Sequence, residues 1–216
     1  MLPVDALPQL DMPINPGGLV IGHEGQQQPV TMHLFRNRPT YVGVFAAAYV
    51  GRLLAFRALA MAAQVAVVTP RPAVWQPLVQ VAPPGWVVQA PPGSATPPAG
   101  TPIGPSMVLD DAGMGDGPLR GDLGAWQTQV VLRPFVTPQL ASQLRSFDVV
   151  AMQRVQPEAV PALQATFGFP VQTAQWLPQM PDDTIAVISA GQVRFVNLVP
   201  TPAERTAFGA PTRLDG

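Results

Sequence analysis

Apolar positions along the chain fall into short runs separated by proline, glycine and paired acids, and their period changes from run to run. Residues 41–45 are a continuous apolar run of strand length. Residues 46–63 follow, rich in Ala and Leu, with Leu53, Phe56, Leu59 and Ala60 at helical spacing. Residues 64–69 form a second buried-strand run. Strand, helix and strand in about thirty residues make a βαβ unit, which implies a parallel sheet. The alternation continues. A short helix is predicted over 71–79, a third strand over 86–88, and a fourth over 107–109 that ends in Asp110-Asp111. A fifth strand spans 126–132. Thr137 as cap and Pro138 at the first helical position open a helix through 147. A sixth strand covers 148–155, and a helix opening at 156–158 runs to Gly168.

Two segments alternate with period two instead. Residues 18–36 turn at His23-Glu24-Gly25, and 184–189 pairs with 192–199 around Ala190-Gly191, so both read as hairpins. Residues 91–105 hold six Pro and three Gly, and 113–124 hold five Gly; both are loops. Residues 1–16, with four Pro, read as an irregular arm, and 201–216 as a polar, frayed tail. The expected fold is a three-layer α/β sandwich over 17–200 with a mostly parallel sheet, the two hairpins added at its edges.

Composition narrows the chemistry. All 12 basic residues are Arg, so Schiff-base, amine-base and P-loop-lysine chemistry are excluded. There is no Cys, and the two His sit together at His23 and His33, so no thiolate nucleophile and no metal site is expected. Both His23 and Glu24 fall in a turn, which favours solvent exposure over catalysis. A net charge of −1 and 12% charged residues give no basic face for nucleic acid. Arg52, Arg57 and Gln64 interrupt the apolar stretch 41–68, so no membrane span is expected there, and 1–16 lacks the pattern of a signal peptide. The expected location is cytoplasmic. Ser94, Ser106 and Ser142 have no His/Asp partner pattern, and Trp75, Trp86, Trp126 and Trp176 read as core or interface anchors.

The first strand-to-helix junction is where a phosphate-binding loop, G-x-x-x-x-G-K-[ST], would lie. In register on Gly51, Ala46 takes the first glycine position, Arg52 replaces the lysine and Leu53 the hydroxyl residue, while Tyr49 and Val50 add bulk. Ala46 brings a Cβ, Leu53 offers no oxygen to magnesium, and the planar fork of Arg52 does not fit the place of a lysine. The same segment also reads as an ordinary βαβ crossover that never met a nucleotide.

The order of motifs over about 180 residues resembles the FtsK/SpoIIIE-type P-loop ATPases, above all the EccC ATPase domains of actinobacterial type VII secretion. The resemblance rests on Leu19-Val20-Ile21-Gly22 with Pro29-Val30 in an opening hairpin, and on Leu54-Ala55-Phe56-Arg57-Ala58-Leu59 after the degenerate loop. It continues through Met107-Val108-Leu109-Asp110-Asp111 in the place of a Walker B strand, Arg133-Pro134 at a later strand end, 147–155, and a closing hairpin over 185–198. It implies a P-loop-NTPase-like fold. Asp110 would then hold magnesium through water, Asp111 would stand where a catalytic Glu orients water, and Arg133 would act as a phosphate sensor. Alternatively, the two acids cap a strand end and Arg133 is a surface charge.

Three functions remain open. The chain is a pseudo-ATPase without cofactor or catalytic residues that docks on a protein, either a secretion ATPase or its own copy, peripheral to a membrane secretion complex. Or it binds nucleotide without hydrolysis. Or it is an unrelated α/β enzyme using the acids at 110 and 111. The first reading places an apolar docking surface at the degenerate loop, lined by Ala46, Ala47, Tyr49 and Val50.

Overall fold

In the computed structural model ten strands join into a single sheet, ordered β2-β1-β10-β9-β8-β3-β7-β6-β4-β5. The described residues are 18–25, 27–94, 100–111 and 121–211. The expected arm at 1–16 lies outside them, as do parts of the loops at 91–105 and 113–124 and the last residues of the tail. The strands are β1 (Leu19–Glu24), β2 (Gln28–Met32), β3 (Thr40–Phe45), β4 (Gln64–Val68) and β5 (Val87–Ala90), followed by β6 (Ser106–Asp110), β7 (Gln127–Arg133), β8 (Val149–Met152), β9 (Thr184–Ser189) and β10 (Gln192–Asn197). The helices are α1 (Ala48–Leu59), α2 (Pro72–Val81), α3 (Pro138–Ala141), α4 (Val160–Phe167), α5 (Val171–Trp176) and α6 (Pro202–Phe208).

The six strands from β8 to β5 are all parallel. Their central members are apolar runs because both faces are covered. The chain leaves β3 through α1 and reaches β4 three places away, then returns to fill the gap with β6 and β7. From β7 it crosses β3 in the other direction to reach β8. A right-handed crossover in each direction puts the two connections on opposite faces. Accordingly, one core joins α1 and α2 through Leu53, Leu54, Trp75 and Leu78 to Val44, Val67, Leu109 and Leu132, with Phe208 of α6 packed against it. A second core, through Ala141, Leu144 and Leu163, covers Phe45, Val131 and Met152 from the other side. The result is a three-layer α/β arrangement.

The hairpins are edge additions, as expected, but they share one edge. Both extend the same edge: β9 pairs antiparallel with β8, β10 with β9, and β1 with β10. Gly22 permits this junction, since a Cβ there would lie 2.2 Å from the carbonyl oxygen of Asn197. Ala190 and Gly191, both at positive φ, close β9 to β10 as a two-residue turn.

Two elements depart from expectation. Residues 171–176, to which the sequence pattern assigned no element, form α5, and 202–208, read as frayed tail, form α6. The second is held by a capping box in which Thr201 Oγ1 accepts from Glu204 N–H and Glu204 Oε2 accepts from Thr201 N–H at 2.7 Å. Glu204 is buried and forms a two-pronged ion pair with Arg57 of α1, at 2.6 and 2.9 Å. Arg57 also donates to the carbonyl oxygens of Val20 and Val199. One guanidinium thus ties the first hairpin, α1 and the segment leading into and through α6 together.

Candidate functional site

Adjacent strands β3 and β7 send their connections to opposite faces, and in parallel sheets ligands bind at the carboxyl ends of such a pair. The degenerate loop, Asp110 and Arg133 converge on this end of the sheet. The register aligns Phe45 with Arg133 and Val68 with Asp110.

A phosphate cradle is a loop whose N–H groups point into open space. This junction has none. Only Ala46 and Ala47 separate β3 from α1, and Val50 N–H already donates to Ala47 O at 3.0 Å as part of the first helical turn. Ala is a strong helix former, and without glycine nothing favours an open loop over one more turn. Ala46 N–H donates to Arg133 O at 2.9 Å. Ala47 N–H, at the helix N-terminus where a phosphate oxygen would sit, donates instead to Gln153 Oε1 at 2.9 Å. Gln153 follows β8 and is itself buried; its Nε2 donates to Asp182 O at 2.8 Å, and its N–H to Phe45 O. The protein's own amide takes the N-cap N–H.

The expected apolar docking surface at this junction is therefore corrected. Ala46, Ala47, Tyr49 and Val50 do not line an open cleft; all are buried in the core between sheet and helices. Tyr49 is fully buried. Burial, and then the nearby Glu204 carboxylate, push its phenol above the usual value. Gly51 serves packing, because a Cβ there would lie 2.9 Å from the Trp75 ring and 3.0 Å from Leu132. Arg52 donates Nη1 to Val74 O at 2.8 Å, joining α1 to α2, and Leu53 is core. None of these side chains faces a space at the strand ends.

The two acids part company. Asp110 ends β6 with its Oδ1 3.7 Å from Arg133 Nη1. Asp111 is 1% exposed and accepts three side-chain donors: Thr69 Oγ1 at 2.9 Å, Trp75 Nε1 at 2.8 Å and Arg71 Nη2 at 2.6 Å. It is neither a solvated strand cap nor a group aimed at water, but the hub joining β4, β6 and α2. Arg133 is likewise no surface charge. It is 3% exposed and donates Nη1 to the carbonyl oxygens of Leu132, at 2.8 Å, and Asp110, at 3.3 Å.

His23 is half-buried and Glu24 pairs with Arg194 at 2.7 Å, so the two belong to the hairpin rather than to a site. Among the described residues no three His, Cys, Asp or Glu side chains gather as a metal site, and no helix is long and apolar enough to cross a membrane. Of the residues that fill the strand ends, Trp75 is the core anchor expected of it, whereas Gln153 and Thr69 escaped the sequence reading; Gln153 lies 106 positions from its partner, with no local pattern to mark it. No family model matches the chain. No curated protein matches it either.

Proposed function

We propose that this chain is a degenerate P-loop-ATPase-like domain of the FtsK/SpoIIIE type that does not hydrolyse nucleotide and works by protein contact. Its setting on this reading is a type VII secretion system, as an accessory or regulatory component beside a secretion ATPase or another copy of itself. The observation that carries the loss of nucleotide chemistry is the Ala47 N–H to Gln153 Oε1 bond at the start of α1, inside a junction that is closed and buried. The chain-wide absence of Lys removes the usual phosphate-binding cation as well. The order of the hairpin, the crossover after β3 and the acids at the end of β6 supports the family assignment.

Retention of nucleotide without hydrolysis is the second reading, and Arg133 at the strand ends is what favours it. One experiment addresses both. A site with Kd of about 50 μM, held at about 5 mM MgATP, gains about 2.7 kcal/mol of stability. In a chain of this size that raises Tm by roughly 5–10 °C. The expected result is an unchanged Tm and no phosphate release. A concentration-dependent rise establishes the second reading, and turnover abolished by Asp110→Ala refutes both. For the setting, the tagged protein purified from its native host should bring down the secretion ATPase; its absence from the complex would remove the accessory role.

A further inference from the structure

The segment after β10 is held to the body by few groups. Leu198 is core, but from Val199 to Phe208 only Pro200 and Glu204 are buried. Within α6 the single buried side chain is a carboxylate. Glu204 and Phe208 are four positions apart, so they share one face of the helix. Two consecutive residues of α1 meet that face. Arg57 grips Glu204 through Nε and Nη2, at 2.6 and 2.9 Å, and Phe56 meets the Phe208 ring edge-on, with centroids 5.5 Å apart at 85°. The helix also lies against α2. Charge is thus matched with charge and ring with ring.

This attachment is specific but shallow. A seven-residue helix is too short to stand alone in water and keeps its shape only while docked. Desolvation of a buried ion pair offsets much of its attraction, so the Arg57–Glu204 pair fixes where the helix sits more than it adds to stability. The main apolar anchor on α6 is then the half-buried Phe208 ring. An element held in this way detaches at a free energy well below that of global unfolding. The linker shapes the movement. Thr201 is extended, at φ −64° and ψ 164°, between Pro200 and Pro202, whose rings fix φ. When α6 lifts, Arg57 keeps its bond to Val20 O at 2.9 Å, so the cation of the seat stays in place.

We propose that α6 is an exchangeable strap, which lifts from α1 as a unit and docks on the α1 of a second copy. Complementarity already present in the fold selects this occupant. The seat offers the Arg57 cation beside the Phe56 ring, and the helix that fits it, with its acid and its ring on one face, is one that every copy carries. Exchange remakes the same contacts between two molecules, and reciprocal exchange closes a twofold dimer. A short linker holds the strap near its own seat at an effective concentration of about 1 mM, so the closed monomer prevails below that. This gives the contact function proposed above a surface and a partner, and it rests on that reading.

Hydrogen exchange of the full wild-type chain reads the lifting. The N–H groups of Arg205 and Gly209 donate to Thr201 O and Arg205 O, and both are expected to exchange at least about tenfold faster than the interior amides of α1. Exchange of both sets together, only through global unfolding, overturns the proposal. Charge reversal reads the docking. Arg57→Glu sets a carboxylate against Glu204, and Glu204→Arg sets a guanidinium against Arg57, so each variant alone rejects its own strap and that of its copies. In an equimolar mixture each strap meets the opposite charge on the other variant. A one-to-one dimer is expected by sedimentation velocity at about 0.1 mM, below the effective concentration that keeps the wild type closed. The chain carrying both reversals restores the pair within one molecule and is expected to stay monomeric. A mixture that remains monomeric overturns the proposal. So does a single variant that unfolds by circular dichroism, since strap and seat then belong to the core. None of these readouts involves nucleotide: a failed exchange leaves the MgATP result standing, and a rise in Tm with MgATP refutes the non-binding reading whatever the mixture does.

Discussion

Asp111 offers the sharpest test of how the strand ends are built. A solvated acid capping a strand could be replaced by Ala within about 0.5 kcal/mol. The structure makes it a buried acceptor for three donors, so Asp111→Ala leaves Trp75 Nε1, which is fully buried, with no partner, and removes the acceptor of Thr69 Oγ1. An orphaned buried donor costs about 1–3 kcal/mol. Arg71 is nearly half exposed and can turn to water, so its share is discounted. The Thr69 hydroxyl still accepts from Arg71 N–H at 2.9 Å and can rotate toward another acceptor, which lowers its share too. The expected loss is about 2–4 kcal/mol, a fall in Tm of roughly 5–15 °C for a chain of this length. Asp111→Asn keeps one acceptor oxygen in place and should lose less than half as much. Urea or thermal unfolding reads both, and a cycle with Trp75→Phe isolates the Trp75–Asp111 bond as a coupling of about 1 kcal/mol or more. A drop below about 2 °C for Asp111→Ala, or strict additivity with Trp75→Phe, would refute the hub.

Two further outcomes concern the clamp and the closed junction. Burial acts to raise the Glu204 pKa, but the hydrogen bonds and charge of Arg57, with the bonds from Thr201, outweigh it and hold the carboxyl below its ordinary value of 4.5. A depressed folded pKa means that the clamp contributes fully above pH 4.5 and fades as pH falls through the lowered value. Glu204→Gln should therefore be less stable than wild type at pH 7 and show a flatter acid limb in unfolding titrations; parallel acid limbs would remove Glu204 from the account. Tyr49→Glu places a carboxylate in the core and is expected to unfold the protein by circular dichroism, because an unpaired buried charge costs several kcal/mol. A folded Tyr49→Glu variant would instead restore the apolar docking surface to the degenerate loop.

The parallel half of the fold was legible because its strands are buried on both faces, and a run such as Tyr41–Phe45 followed by Ala-rich helical spacing has no other stable use. The hairpins were equally plain from their turns. Their placement on one shared edge was not, since strand order depends on which edges remain free after the crossovers, and no local period encodes that. The helix α6 left a signal that went unread: Thr201-Pro202-Ala203-Glu204 is a capping box with proline at the first helical position. Its polar composition hid it, because the one buried side chain that anchors it is a charged one. The site was the least legible part. Residue types at 46–53 showed the departures from a phosphate-binding loop, yet the acceptor that meets Ala47 N–H is Gln153, a single polar residue at the end of a strand far away in sequence.

Closure of that junction follows from several residues acting together. With Ala in place of glycine at 46, the backbone gains a helix-forming residue where a cradle needs freedom, and α1 starts two residues beyond β3. Starting there carries Tyr49, Val50 and Leu53 into the core facing Trp75, Leu109 and Leu132, and only glycine at 51 leaves room for Trp75. At the start of the helix, Ala47 N–H is met by an uncharged acceptor. Gln153 supplies it while spending its other polar atom on Asp182, so the same side chain that fills the helix end also pins the segment leading into β9. Closure of the junction and anchoring of the segment before β9 thus share one side chain. A lysine at 52 and a hydroxyl at 53 would not create a phosphate site here, since position 53 is buried core and the backbone from 48 to 50 is already helix.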